Sequence, residues 1–187
     1  MQIVFNGYQK KFVFKDSKIS VLEIADKSLF SRVWSSMVNN CSLEGSEKFS
    51  IWLSDNELNI KNTIICVSNP AELPWDHTVS KNKARAMFEK AINQDAELQA
   101  ELFSMYTLLK DKISDFMLQY DADYYFHKDW SIENYLKMMS LKPYEIESDK
   151  ILDNLVCFTN YLSDLCFAGI LVFCNLKIFL SELELIE

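Results

Sequence analysis

The chain has 187 residues, of which 49% are hydrophobic and 25% charged, and its formal net charge is -8. A chain of this length buries roughly 70% of its unfolded surface, so it needs neither a disulfide nor a structural metal to fold. The acidic balance argues against wholesale nucleic-acid binding but allows a local basic strip, because net charge averages over the whole surface.

The five cysteines form no C-x-x-C pair, and most of them lie in apolar runs such as TIICV and LVCF. This usage is typical of reduced thiols packed in the core of a cytoplasmic protein, and we expect that location. The N-terminus is too short and too polar for a signal peptide. The apolar stretch LCFAGILVFC is about half the length of a bilayer span, so we expect no membrane association.

The first part of the chain alternates in the manner of strands, around one helix. QIVF and KFVF flank NGYQ, which predicts a hairpin around Asn6-Gly7, and SKISVLEI predicts a third strand. Apolar residues at helical spacing from Leu29 to Val38 predict a helix with Asp26 as its N-cap. KFSIWL and NTIICVS predict two more strands, and the apolar TIICV is typical of a strand covered on both faces.

Two prolines in SNPAELPWDH end this region, and from about Thr78 the apolar period becomes helical. The longest helix is predicted to end at Tyr120. Further helices are predicted for residues 132–141, capped by a serine, and for residues 148–165. The apolar run AGILVFC then predicts a return to a buried strand at residues 168–174.

This order of strands, helices and strand favours an α/β fold in which both ends of the chain build a head and a helical lobe is inserted between them. We place the head at residues 1–75 and 166–187 and the lobe at residues 76–165. The C-terminal S-E-L-E is a capping box that should open a helix. Because only three residues follow it, we expect that the chain ends early relative to its relatives, or docks this end on a partner.

Four parts of the chain together resemble the ring-forming DNA-binding accessory family of type II-A CRISPR systems, which takes part in acquiring new spacers. They are KISVLEI with SLFSRVWSSMV, TIICVSNPAEL, SIENYLKMMSLKP with ESDKILDNLVCFTNYLSDL, and GILVFCNLKIFLSELELIE. The resemblance covers most of the chain and consists of element order, element length and residue pattern.

The resemblance implies a degenerate ATPase-like α/β head that lacks a working phosphate loop. It implies a homotetrameric ring with a basic inner surface around double-stranded DNA, which binds DNA ends without sequence preference. It also implies action together with the CRISPR integrase and effector proteins of the same locus. Some members of the family bind calcium, which organises the helical lobe, and calcium is the cofactor that the resemblance implies.

A phosphate loop can be tested on the residues themselves. The three glycines, Gly7, Gly45 and Gly169, do not belong to a G-x-x-x-x-G-K sequence followed by Ser or Thr. A phosphate cradle needs such glycines for close backbone approach. We therefore expect no bound nucleotide and no enzymatic activity.

Two basic groups are the candidates for DNA contact. They are Lys10, Lys11, Lys15 and Lys18 on the early strands, and Lys81, Lys83 and Arg85 near the start of the first lobe helix. Strand alternation predicts that Lys11 and Lys18 point away from the core. A ring multiplies each weak contact by the number of subunits, so a modest strip is sufficient. Ordinary solvated charge is the alternative for each residue.

The corner QYDADYYFHKDW contains Asp121, Asp123 and Asp129. Hard oxygen ligands at D-x-D spacing suit calcium better than zinc, so these aspartates are the candidate calcium ligands. A solvated connector between two helices is the alternative. Two further functions stay open: a metal-dependent nuclease or nucleotide hydrolase on the same head, and a helical protein–protein adaptor with no nucleic-acid role.

Overall fold

The computed structural model describes residues 1–8, 11–15, 19–40, 47–127, 129–139, 143 and 148–185. They form a mixed α/β protein that divides into two compact units. Unit 1 comprises Met1–Val79 and Glu145–Glu187, and unit 2 comprises Ser80–Tyr144. Unit 1 is therefore made from both ends of the chain, and unit 2 lies between them in sequence.

The strands and the helices are each numbered in chain order. The strands are β1 (Gln2–Phe5), β2 (Lys11–Val13), β3 (Phe49–Leu53), β4 (Asn56–Leu58), β5 (Ile64–Val67) and β6 (Ile170–Phe173). The helices are α1 (Lys27–Val38), α2 (Ile60–Thr63), α3 (Thr78–Asn93), α4 (Ala96–Met117), α5 (Ile132–Met138) and α6 (Ile151–Asp164). None of the described helices combines the length and the apolar content that a bilayer span requires.

Unit 1 contains a four-stranded antiparallel sheet with strand order β2-β1-β3-β4. In the centre of the sheet, Ile3 lies opposite Phe12 on one side and Ile51 on the other. The predicted hairpin is confirmed, because β1 and β2 pair in antiparallel register. Gly7 in the connection has a φ of 84°, a conformation that glycine adopts without steric cost.

The prediction of a third strand at SKISVLEI is wrong for the described residues 19–24, because these residues pair with no neighbouring strand. The side chains of Ile19 and Val21 are 85% and 64% exposed, whereas Ile24 packs against the core of the sheet. Alternating apolar residues predict a strand only where a neighbouring backbone completes the ladder, and the pattern of one segment does not reveal whether that neighbour exists.

Helix α1 covers the inner face of the sheet. Its Val33 and Met37 lie in one buried cluster with Ile3 and Ile51 of the two central strands. The predicted N-cap is confirmed, because the carboxylate of Asp26 accepts a hydrogen bond of 2.9 Å from the backbone N–H three residues later.

The second sheet of unit 1 consists of β5 and β6, which run parallel with Ile64 opposite Ile170. Ile64 belongs to the cluster that includes α1. Ile65, the next residue, belongs to a second cluster with Phe158 of α6. Because successive side chains of a strand point to opposite faces, β5 is covered on both faces, as its apolar sequence predicted.

Helix α6 packs against this parallel pair. Phe158 is fully buried, and its ring lies 5.1 Å from the ring of Trp75 in an edge-to-face arrangement. Our predicted lobe, residues 76–165, includes α6, whereas the packing of Phe158 on Ile65 groups this helix with unit 1.

Unit 2 contains the long helix α4 and the short helix α5. The predicted cap of α5 is confirmed, because the hydroxyl of Ser131 accepts a hydrogen bond of 3.1 Å from the backbone N–H of Asn134. Trp130, just before this cap, stacks on Tyr106 of α4 with 5.0 Å between ring centroids. This stacking joins the start of α5 to the middle of α4.

Candidate nucleic-acid interface

Lys11 lies on the outer face of β2, which is an edge strand of the four-stranded sheet. Exposure alternates along this segment, with Lys11, Val13 and Lys15 exposed and Phe12 and Phe14 partly buried. The two phenylalanines pack against the core of the sheet. Strand alternation therefore directs both lysines to solvent, as predicted for Lys11.

The rest of the early basic group, Lys10 and Lys18, lies outside the described residues. The outer face of the sheet continues from the lysine edge to Trp52 of β3, whose indole N–H donates a 2.8 Å hydrogen bond to the hydroxyl of Ser50. At the far edge, Glu57 pairs with Trp52. The outer face thus has cations at one edge, uncharged side chains such as Val4, Ser50 and Trp52 in the middle, and a carboxylate at the other edge.

The second basic group is divided by the geometry of α3. A helix turns about 100° per residue, so Lys81 and Arg85 lie on one side and Lys83 lies on the opposite side with Lys90. Lys81, Lys83 and Arg85 are all partly buried. The three predicted residues therefore do not form one strip along the helix.

Arg85 makes its contacts within unit 2. Its Nη1 donates a 3.2 Å hydrogen bond to the side chain of Asn82, while its Nε is buried and has no hydrogen-bond partner among the described residues. The pKa of Glu133 is lowered by the hydrogen bond from Lys137, by the charge of Lys137 and, more weakly, by the Arg85 guanidinium. The positive charge of Arg85 thus adds a small stabilisation of the charged form of Glu133 in the first turn of α5.

The three predicted calcium ligands, Asp121, Asp123 and Asp129, are all exposed. Across the described ranges, no three carboxylate, imidazole or thiol side chains come together in a group that could hold a metal ion. The aromatic residues of the same corner make contacts of their own, such as Phe126, whose ring lies beneath the ammonium of Lys110 at 5.9 Å. Calcium binding at this corner stays a prediction.

Sequence reasoning did not predict an open depression of about 530 Å³ in unit 2. Its lining includes Asn93, Gln99, Phe103, Trp130 and Ser131. Within it, the side-chain amide of Gln99 donates a 2.9 Å hydrogen bond to that of Asn93. Because these residues come from three segments of the chain, no local spacing could have indicated them.

No known protein family matches the chain, and no curated protein does either. Two features remain to support a function. One is the geometry of unit 1, in which β5 pairs with the distant strand β6 and Lys11 and Lys15 are exposed. The other is the resemblance in element order and residue pattern described above.

Proposed function

We propose that this protein is a non-enzymatic, sequence-independent double-stranded DNA-binding protein that acts in CRISPR spacer acquisition as a ring-shaped homo-oligomer, a tetramer. The observation that carries the proposal is the parallel pairing of β5 with β6. Between these strands the chain passes through the helices of unit 2 and then returns beside β5 in the same direction. The same order of strand, helical insertion and returning strand underlies the resemblance.

We assign the β5–β6 pair and the helices that cover it to a degenerate ATPase-like head. Parallel strands covered by helices on both faces are the layers from which nucleotide-binding α/β folds are built. Two observations support this assignment: Ile64 packs in the cluster of α1, and Ile65 packs in the cluster of α6.

We assign DNA contact to Lys11 of the edge strand β2 and to Lys15, which lies two residues beyond the end of that strand. An ammonium group is a compact point charge that neutralises phosphates and does not read base edges, so binding is independent of sequence. Two lysines are a small contact for one subunit, but a ring repeats them in every copy. The integrase and effector proteins of the locus are the expected protein partners.

The test is fluorescence anisotropy with two linear duplexes of unrelated sequence at several salt concentrations. We expect both to bind equally and affinity to fall steeply with salt, because lysine contacts release counterions. Lys11→Glu and Lys15→Glu should weaken binding to both duplexes and flatten the salt dependence by about one unit of slope per lost contact. Lys61→Glu, the same charge change at an exposed lysine of α2, is the control.

Absence of binding to linear duplex at low salt would refute DNA binding. Closed circular DNA should bind much more weakly if the ring threads over ends, and equal binding would refute the ring. Product formed from DNA or ATP with magnesium, manganese or calcium would instead identify a nuclease or hydrolase. A calcium titration of native mass and melting temperature tests the aspartate corner, with Asp123→Asn as the comparison.

A further inference from the structure

Helix α4 leaves a long apolar face uncovered. None of its 22 residues is buried, although the helix is about 33 Å long at 1.5 Å per residue. Leu98, Met105, Leu109 and Phe116 are 36%, 58%, 58% and 55% exposed. Together with the partly buried Leu102, these residues form what we call the α4 stripe.

The α4 stripe has the spacing of a helix-pairing seam. Its members follow one another at intervals of four, three, four and seven residues, and the gap of seven contains Lys112 at the intermediate position. Intervals of three and four alternate in the a and d positions of paired helices, whose side chains interlock as knobs into holes. Large exposed apolar surfaces of this kind indicate an interaction site.

Two opposite charges lie on the same flank of the stripe. At about 100° per residue, Glu101 and Lys112 lie about 80° and 60° from Leu109, in the same direction around the helix. Glu101 is in the N-terminal half of α4 and Lys112 is in the C-terminal half. Both side chains are exposed. Glu101 and Lys112 thus place a negative charge in the N-terminal half of the flank and a positive charge in the C-terminal half, while Glu97 and Asp115 lie at least 40° farther from the stripe.

We propose that the α4 stripe binds the same stripe of a second copy of this chain, with the two helices antiparallel. Centred near position 107, this arrangement packs Leu98 against Phe116 of the second copy and Met105 against Leu109 of the second copy. It also places Glu101 beside Lys112 of the second copy, with an offset along the helix axis of about one residue, roughly 1.5 Å. The pair occurs twice because the arrangement is two-fold symmetric.

The charges select this direction over the parallel one. In a parallel two-fold pair, the same flank of the two copies lies on opposite sides of the contact, so Glu101 and Lys112 of one copy do not meet Lys112 and Glu101 of the other. Asp111 lies on the side of the helix away from the stripe, at about 200° from Leu109, and stays in solvent. A second copy is therefore the occupant whose charge pattern complements that of α4.

This inference deepens the homo-oligomer of the proposed function by naming a surface for it, and it does not depend on DNA binding. Sedimentation velocity over a range of protein concentrations, without DNA, gives the native mass. We expect the wild-type protein to self-associate and Met105→Glu and Leu109→Glu to halve the mass of the assembly, because a buried unpaired carboxylate disrupts an apolar contact. Thr107→Glu, on the opposite side of α4, is the matched control and should leave the mass unchanged.

A charge exchange tests the antiparallel direction. Glu101→Lys alone and Lys112→Glu alone should each weaken self-association about tenfold, and the double variant should restore it, because each copy then presents the exchanged pair. If the double variant does not regain self-association, the antiparallel register is refuted.

Different failures have different meanings. A wild-type protein that is monomeric at every concentration would refute both the stripe and the homo-oligomer. An oligomer that Met105→Glu leaves intact would refute the stripe alone. Met105→Glu that lowers the melting temperature without changing native mass would show that the chain itself covers the stripe, which also refutes the inference.

Discussion

Gly169, just before β6, allows the chain to approach the last residue of α2 closely. A Cβ atom at this position would lie 2.2 Å from the carbonyl oxygen of Thr63 and 2.3 Å from the ring of Phe167. Because one of these neighbours is backbone, the clash cannot be relieved by a rotamer change alone. Overpacking of this kind costs about 1–3 kcal/mol.

We therefore predict that Gly169→Ala lowers the free energy of unfolding by about 2 kcal/mol, measured by urea denaturation. Gly7→Asn is the comparison, because position 7 has a positive φ of 84° but nothing within 4 Å of the added Cβ. Asparagine tolerates the left-handed region, so that change should cost well under about 1 kcal/mol. Equal stability of Gly169→Ala and the wild type would contradict the tight approach of the chain at Gly169.

The cysteines show that apolar neighbours in the sequence do not always predict whether a residue is buried. Cys66 lies in the apolar β5, and burial raises the pKa of its thiol to about 12, as a packed thiol requires. Cys166 also lies in an apolar run, so we predicted burial, which is wrong because the residue is exposed. Cys166 follows the end of α6 and has a left-handed backbone conformation, with a φ of 50°. Because the chain turns at this residue, its side chain does not continue the buried face of the helix.

At the scale of elements, the C-terminal capping box predicted from the sequence is present. The hydroxyl and the backbone N–H of Ser181 donate hydrogen bonds of 2.6 and 2.8 Å to the carboxylate of Glu184. These two bonds, the hydroxyl first, lower the pKa of Glu184. The box closes a turn at residues 182–185. The helix that it was predicted to open is not formed by the described residues, which end at position 185.

The pKa of Glu184 gives a pH-dependent prediction. Because its folded pKa lies below the unfolded value of about 4.3, the stabilising contribution is complete above that value and is lost as pH falls through the folded pKa. A carbon-13 NMR titration should show Glu184 titrating below the unfolded value. Ser181→Ala should move the pKa upward, and an unchanged pKa in that variant would show that the hydroxyl is not its main cause.

Helices and strands were predictable where the spacing of apolar residues and a capping residue agree. They were less predictable where a strand depends on pairing with a neighbouring strand. The helical period and Asp26 predicted α1, and the apolar TIICV predicted a strand covered on both faces. SKISVLEI has an equally regular pattern but finds no ladder partner at residues 19–24. The site was harder still, because Lys81 and Lys83 are close in sequence yet about 200° apart around α3.

At the scale of the whole molecule, the grouping of α6 with unit 1 has an energetic consequence. Phe158 is fully buried between α6 and the parallel strands. We predict that Phe158→Ala lowers the free energy of unfolding of unit 1 by about 3–5 kcal/mol, through lost burial and the cavity left behind.

Trp75 provides the measurement, because its ring packs edge-to-face on Phe158 and its fluorescence therefore reports unfolding of unit 1. Val156→Ala is the control: Val156 is on the same helix but 48% exposed, so its truncation should cost under about 1 kcal/mol. Similar losses for the two variants would contradict the placement of α6 in the core of unit 1.

The parallel pair β5–β6 also sets an order of events during synthesis. About 100 residues separate Val67 from Ile170, and ribosomes add about 5–20 residues per second. The strand β5 therefore waits about 5–20 s before its partner has been made. The helices of unit 2 have local contacts and can form within that interval. Until β6 arrives, an apolar strand is exposed on the nascent chain, and this is the period in which a chaperone would bind it.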